Sequence, residues 1–242
     1  MPNIAMNDLL EAGVHFGHMT RKWNPKMKQY IFTARDGVHV IDLAITVEKL
    51  KEAAKAVEEI TASGKEILLV GTKRQASVVL SELGEKYGVP YIAQRWLGGL
   101  LTNFESVRTT WEHLNDLQAK MDDTTEFEKL TTRDQYALRK EHEKLSKLVG
   151  GLRNMTQIPG ALFVVDVKRE QTALEEAKKM GVPVIALVDT NVDPKLVDYP
   201  IPGNDDAIKS IEVVSEFVCK TIEEGKNPAP KAAKKAKTSN SK

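Results

Sequence analysis

The densest run of chemically capable side chains is Thr20-Arg21-Lys22-Trp23-Asn24-Pro25-Lys26-Met27-Lys28-Gln29-Tyr30. No acid interrupts the stretch from Arg21 to Arg35. Arg21, Lys22, Lys26, Lys28 and Arg35 can neutralise phosphates. Trp23 and Tyr30 offer stacking faces, and Asn24 and Gln29 can hydrogen-bond sugars or base edges. That chemistry is RNA binding, and a simple basic surface loop is the plainer alternative.

Three histidines lie close to this run. His15 and His18 are three apart and His39 follows on a hairpin. No cysteine or acid stands near them at zinc-ligand spacing, so they read as packing or RNA-contacting residues. A second set is oxygen-rich: Asp189-Thr190-Asn191-Val192-Asp193 and Asn204-Asp205-Asp206. The Asp189/Asp205 region could hold Mg²⁺ at a sheet edge. Turn formation by Asp193-Pro194 and Pro202-Gly203, with Asp205 or Asp206 capping the last helix, explains it more simply. The expectation is therefore no cofactor, with Mg²⁺ as the one alternative.

Phosphate cradles and nucleophiles find less support. Val70-Gly71-Thr72-Lys73 ends a strand and opens a helix but lacks P-loop spacing, and no GxGxxG follows a strand. Lys73 and Arg74 read as solvent-facing residues after a turn at Gly71. Arg95-Trp96-Leu97-Gly98-Gly99 suits a turn pressed against a partner. Cys219, beside Phe217 and Val218, reads as a buried thiol, and no GxSxG elbow exists. Asp166 and Asp189 end strands where catalytic acids often lie. With Lys73 they define the rival class, a nucleotide or small-molecule enzyme.

The elements that must position these residues follow from periodicity. Continuous apolar runs at Ile67–Val70, Pro90–Ala93, Ala161–Asp166 and Val184–Asp189 read as strands covered on both faces. Helical patterns fill about Thr46–Ala62, Lys73–Tyr87, Arg169–Met180 and Asp206–Glu224, the last stopping before Gly225. This alternation implies an α/β fold with a parallel sheet and right-handed crossovers. A short helix over Asn7–Ala12 ends near Gly13. The runs Tyr30–Ala34 and Val38–Ile41 flank an Asp36-Gly37 hairpin turn.

Four regions result. Residues 1–103 form the first part of the α/β domain with its basic N-terminal extension. Residues 104–149 form an inserted helical hairpin, 150–225 complete the domain, and 226–242 are a disordered lysine-rich tail. In the insertion, two helical runs meet near Met121-Asp122-Asp123-Thr124, and Thr132 with Gln135 forms a candidate capping box. A segment from about Glu112 to Lys147 reads as removable from a body that folds without it. An arm of this kind could also serve a protein adaptor acting without RNA.

The chain has 242 residues, 41% hydrophobic and 29% charged, an ordinary globular composition. No apolar run could span a bilayer, and Met1-Pro2-Asn3-Ile4 does not lead into a signal core. One cysteine excludes an internal disulfide and fits a reducing cytoplasm. The net charge is +1, but the segment 226–242 carries six lysines and no acid, which leaves the body at −5. RNA binding by the body must therefore come from local patches.

Taken in order, several stretches resemble the family of bacterial small-subunit ribosomal protein two. They are Asp8–His18 with Thr20–Met27, Phe32–Leu43, Val70–Lys73, Arg95–Asn103, Pro159–Pro183, Val188–Asn191 and Ile201–Ile208. Ala34, Ala44, Gly160 and Val167 depart from the common pattern. The resemblance covers about Asn7 to Gly225. It implies a flavodoxin-like three-layer body with a coiled-coil arm and no catalytic activity, membrane or small-molecule substrate. It further implies residence in the cytoplasm on the small subunit, between head and body. The implied partners are small-subunit rRNA, neighbouring small-subunit proteins and ribosomal protein one, the large mRNA-binding protein. By the same resemblance the rRNA-contact candidates are His15, His18, Arg21, Lys22, Trp23, Asn24, Lys26, Lys28, Lys73, Arg74, Arg95, Trp96 and Asn103.

Overall fold

The structure is a computed structural model that describes Pro2 and residues 4–226, except the side chain of Glu126. The expected tail lies outside the described residues apart from Lys226.

The chain opens with α1 (Met6–Glu11), then β1 (Phe16–Met19) and two 3-10 turns over Thr20–Lys22 and Pro25–Tyr30. β2 (Ile31–Arg35) and β3 (Val38–Ile41) form the expected hairpin. Asp36 and Gly37 have φ of 51° and 78°, the two left-handed residues that a type I′ turn requires. Neither β1 nor its pairing with β3 was expected; the small antiparallel sheet runs β1-β3-β2. Phe-Gly-His-Met carries no alternation, so this strand is set by its partner rather than by its own pattern.

α2 (Leu43–Ala62) starts at Asp42, whose side chain accepts a hydrogen bond from Ala44 N at 2.9 Å. β4 (Ile67–Val70), α3 (Arg74–Tyr87) and β5 (Tyr91–Ile92) follow. α4 (Phe104–Asp122), α5 (Thr124–Lys129) and α6 (Thr132–Val149) make the insertion. The body resumes with β6 (Ala161–Val165), α7 (Gln171–Met180), β7 (Val184–Val188), β8 (Tyr199–Pro202) and α8 (Ile208–Lys226). The five-stranded sheet is parallel throughout, in the order β5-β4-β6-β7-β8. Numbered among themselves, its strands run 2-1-3-4-5, with the switch point between β4 and β6.

Each strand feeds two cores because alternate side chains face opposite ways. Ile67 and Leu69 join Leu50, Val57, Leu80, Phe163, Ile185 and Val218 under α2, α3 and α8. Leu68 and Val70 join Leu162, Val164, Ala186 and Ala177 on the other face. That second face has α7 but is completed by Trp96, Leu100, Trp111 and Leu114, and by Met27 and Tyr30 from the basic run. Tyr30 is therefore packed in the core and offers no stacking face.

Three local expectations change. The insertion has three helices, with Phe127 of α5 buried beneath the Arg139 guanidinium, 5.3 Å from the ring centroid. The cap of α6 is one residue early: Thr131 Oγ1 accepts from Asp134 N at 3.3 Å, while Gln135 Nε2 donates to Phe127 O and Leu130 O. α8 continues through Gly225, where a Cβ would collide with Thr61 Oγ1 on α2. This glycine serves a close helix crossing, not a stop.

Candidate RNA-binding edge and its acidic centre

The loops that follow β4, β5, β6, β7 and β8 all emerge at one edge of the sheet, and Lys73, Arg74, Arg95, Trp96 and Asn103 follow β4 or β5 there. The N-terminal run is tied to that edge by its backbone. His18 N donates to Thr190 Oγ1 at 2.9 Å and Asp189 Oδ1 at 3.2 Å, and Asn24 N donates to Thr190 O at 2.7 Å. Asn204 N donates to Val14 O at 3.0 Å and its amide to Gly13 O at 3.3 Å. Buried Met27 and Tyr30 anchor the run from below.

At the centre of the edge is a polar cluster that joins the strand-end acids and Lys73 to His18, the one member that sequence spacing did not bring to them. Lys73 Nζ lies 2.6 Å from Asp206, 2.8 Å from Asp205 and 3.5 Å from Asp166. His18 Nδ1 lies 3.0 Å from Asp189, and its Nε2 lies 3.5 Å from Asp206. Burial works against the Lys73 charge, but Asp205 and Asp206 outweigh it and raise the pKa. The hydrogen bond to Asp189 raises that of His18. Asp205 is pushed up to about 7, by burial first and by the Asp189 charge second. Capping of α8 does not use these acids: Asn204 Oδ1 accepts from Asp206 N at 2.8 Å and Ala207 N at 3.2 Å. Lys73 thus does not face solvent as expected; it fills the switch-point crevice with its charge matched by carboxylates. One ligand atom each from His18, Asp189, Asp205 and Asp206 lies within 4.8 Å of the others, so this group could hold a divalent cation.

The remaining candidates divide by their partners. Arg21, Lys22, Lys28, Arg74, Arg95 and Asn103 are exposed. Among the described residues, the five cations of that set form no ion pair, whereas Lys26 is bound to Asp193. Trp23 is half-buried against His39, ring centroids 5.1 Å apart. Both ring nitrogens of His39 are buried without a hydrogen bond. Asn24 Oδ1 caps the following 3-10 turn through Lys26 N. His15 stacks on Phe16 at 4.1 Å, and burial lowers its pKa.

Trp96 is 7% exposed, and its indole donates to Glu176 at 3.0 Å. The inner side of the glycine-rich turn is pressed against α7 of its own chain. Glu176 Oε1 also accepts from Gly99 N at 2.8 Å, and Oε2 accepts from Leu101 N at 3.0 Å and from Thr102 N and Oγ1 at 3.3 Å. Burial opposes its ionisation, yet these donors hold the carboxyl below its usual range. Sequence reading passed over Glu176, although an acid between Ala173 and Ala177 on the apolar face of α7 is the signal that marks it.

Comparison with known proteins matches residues 9–225 to the family described as ribosomal protein S2. The chain belongs to the ribosomal protein S2 family. It is similar to the small ribosomal subunit protein uS2 of Chlorobaculum tepidum, 48% identical over 221 residues, 91% of this chain and 88% of that one. The uS2 protein of Chloroherpeton thalassium is 47% identical over 222 residues, covering 92% and 88%. The matched span takes in the basic run, the acidic cluster, the Glu176 loop and the whole insertion. Among the described residues, no helix is long and apolar enough to cross a membrane.

Proposed function

We propose that this chain is a structural component of the small ribosomal subunit, and that it binds folded small-subunit rRNA along the carboxyl edge of its parallel sheet. The observation that carries the rRNA reading is the sorting of cations at that edge. Lys73 and Lys26 are matched by acids, while Arg21, Lys22, Lys28, Arg74 and Arg95 are left exposed and unpaired among the described residues. Phosphates of a folded RNA are the natural counterions for such a rim, and shape-fitting to A-form backbone needs no base code. A body at −5 overall supports loose, patch-wise attachment.

The rival enzyme reading gains no support at the switch point. In a doubly wound sheet the ligand sits at the switch point, and there Lys73 is enclosed by Asp166, Asp205 and Asp206, which would repel a nucleotide phosphate. The reading therefore carries no catalysis and no small-molecule substrate. It takes the body as flavodoxin-like, the insertion as a coiled-coil arm and the location as the cytoplasmic ribosome, between head and body. Phe16, Met19 and Phe32 are exposed on the small sheet beside the basic run. This apolar surface supports a protein contact, which we assign to ribosomal protein one, with neighbouring small-subunit proteins as further partners.

The test is sedimentation of a lysate through sucrose at moderate salt with Mg²⁺. The chain comigrates with small subunits and is released by ribonuclease. Arg21→Ala with Lys28→Ala lowers occupancy and reduces the slope of log affinity for rRNA against log salt by about two. Migration only as a free protein would sink the reading.

The His18 cluster favours a second, additional role as a cation site. An imidazole with three carboxylates suits zinc better than the Mg²⁺ expected at Asp189 and Asp205, since magnesium prefers oxygens and keeps its waters. Calorimetric titration of zinc into chelator-stripped protein reads one site that His18→Ala removes; equal heats from both proteins would dismiss it.

A further inference from the structure

Beside the glycine-rich loop, at the β5 edge of the sheet, lies a small cleft of about 170 Å³. Its lining is hydroxyl, amide and ammonium: Ser77 and Ser81 of α3, Gln94 of the loop, and Ser146 and Lys147 at the root of the arm. Ser77 Oγ and the Gln94 amide make no side-chain hydrogen bond among the described residues. Arg74 stands one turn before Ser77 on α3, and Arg95 follows Gln94; both are exposed and unpaired among the described residues. Two acids stand nearby: Glu85 accepts from Tyr91 OH at 3.0 Å and Glu143 from Lys147 at 2.6 Å. The second pair is an exposed helical one, so Lys147 can exchange its partner for another anion.

The loop that brings Gln94 to this cleft is held from behind by Glu176, which acts as an internal anion and accepts from the neighbouring Trp96 indole. The backbone N–H groups of Gly99, Leu101 and Thr102 converge on its two oxygens, as they would on a bound phosphate. The nest is thus filled by the protein itself, and Gln94, Arg95 and Asn103 of the same loop are turned to solvent. Hydroxyl and amide donors with free guanidinium groups suit phosphodiester oxygens and ribose hydroxyls. They offer little to an apolar peptide.

Building on the rRNA reading above, we propose that this cleft is a docking groove for the phosphodiester backbone of structured RNA, separate from the N-terminal basic run, and that Glu176 is the positioning residue that holds its loop wall. The basic run sits on the loop after β7, three strands from β5, roughly 14 Å away. The two contacts therefore grip different segments of one RNA.

The test uses the full chain, small-subunit rRNA transcript, filter binding across a salt series and hydroxyl-radical footprinting. Arg95→Ala and Lys147→Ala each weaken binding several-fold and lower the salt slope by about one. They erase protections distinct from those lost in the Arg21→Ala, Lys28→Ala protein. Glu176→Gln puts an NH₂ group against the N–H donors of the loop, so it erases the same protections as Arg95→Ala and keeps those of the N-terminal run. Wild-type binding by the Arg95 and Lys147 variants, while the N-terminal variant is weakened, overturns the groove and leaves the parent reading standing. If all three bind as wild type, both fall. A folded Glu176→Gln protein with an unaltered footprint overturns the positioning role; should it not fold, the Arg95 and Lys147 variants decide the groove.

Discussion

At the scale of single residues, the most consequential is Asp205, because its chemistry is set by neighbours drawn from distant parts of the sequence. Its carboxyl is buried beside Asp189 and is pushed up to about 7, against an ordinary value of 3.8. Between those two values the native state holds a proton that the unfolded chain has released, so stability falls as pH rises through that window. His18 acts in the same sense at higher pH, since its raised pKa stabilises fully below 6.5 and less as pH climbs through the folded value. The lowered carboxyls, such as Glu176 and Asp206, contribute in the opposite sense, but their contributions are complete by about pH 5. His15, lowered by burial, opposes this as pH rises towards 6.5, so the test is a difference: the urea midpoint of metal-free protein is expected to fall more, or rise less, from pH 5 to 7 than that of Asp205→Asn. Parallel pH profiles for the two proteins would show that Asp205 is not the group responsible.

At the scale of elements, the crossing of α2 and α8 shows how a sequence signal can be read correctly as special and wrongly as a stop. A glycine at the end of an apolar helical pattern suggests a C-cap, yet Gly225 lies within the helix at the point where Thr61 comes closest. Thr61 Oγ1 is fixed by its bond to Val57 O at 2.8 Å, so it cannot move aside freely. Gly225→Ala is expected to destabilise by about 1–3 kcal/mol through overpacking, measured by chemical denaturation. No loss, with the gain in helix propensity prevailing, would mean that the crossing is looser than its geometry. The same distinction explains which elements could be read beforehand. β4, β6 and β7 are buried on both faces and declare themselves as apolar runs. β8, Tyr199-Pro200-Ile201-Pro202, carries two prolines that only an edge strand accommodates, so its sequence argues for a loop. The basic run was legible because its residues are contiguous. The acidic cluster was legible only in part: the strand-end acids Asp166, Asp189 and Asp205 stand out together with Lys73, whereas His18 joins them only when the N-terminal run docks on the sheet, and no local pattern records that meeting.

At the scale of the whole molecule, the question is where the body ends and the arm begins. The sequence placed a removable segment at Glu112–Lys147, but packing places the boundary further out. Trp111 and Leu114 belong to the second core, and the Trp111 indole donates to Met155 O at 3.2 Å. Only beyond the His113–Glu141 pair, 3.1 Å apart, do α4 and α6 pack mainly on one another and on α5. Excision of residues 112–147 removes Leu114 and uncovers Trp111, which by analogy with large-to-small core changes costs at least about 3 kcal/mol. Excision of 119–137, with the cut ends joined by a short glycine turn, leaves both core residues in place. It is expected to shift the unfolding midpoint of the body only slightly. Paired denaturation curves for the two deletions decide the matter. Equal destabilisation would mean that the arm's tip supports the body through its length, whereas the expected difference separates a root that completes the second core from a tip free to serve a partner. The short deletion then becomes the proper reagent for measuring what the arm contributes on the small subunit, because any loss of binding can no longer be ascribed to a damaged fold.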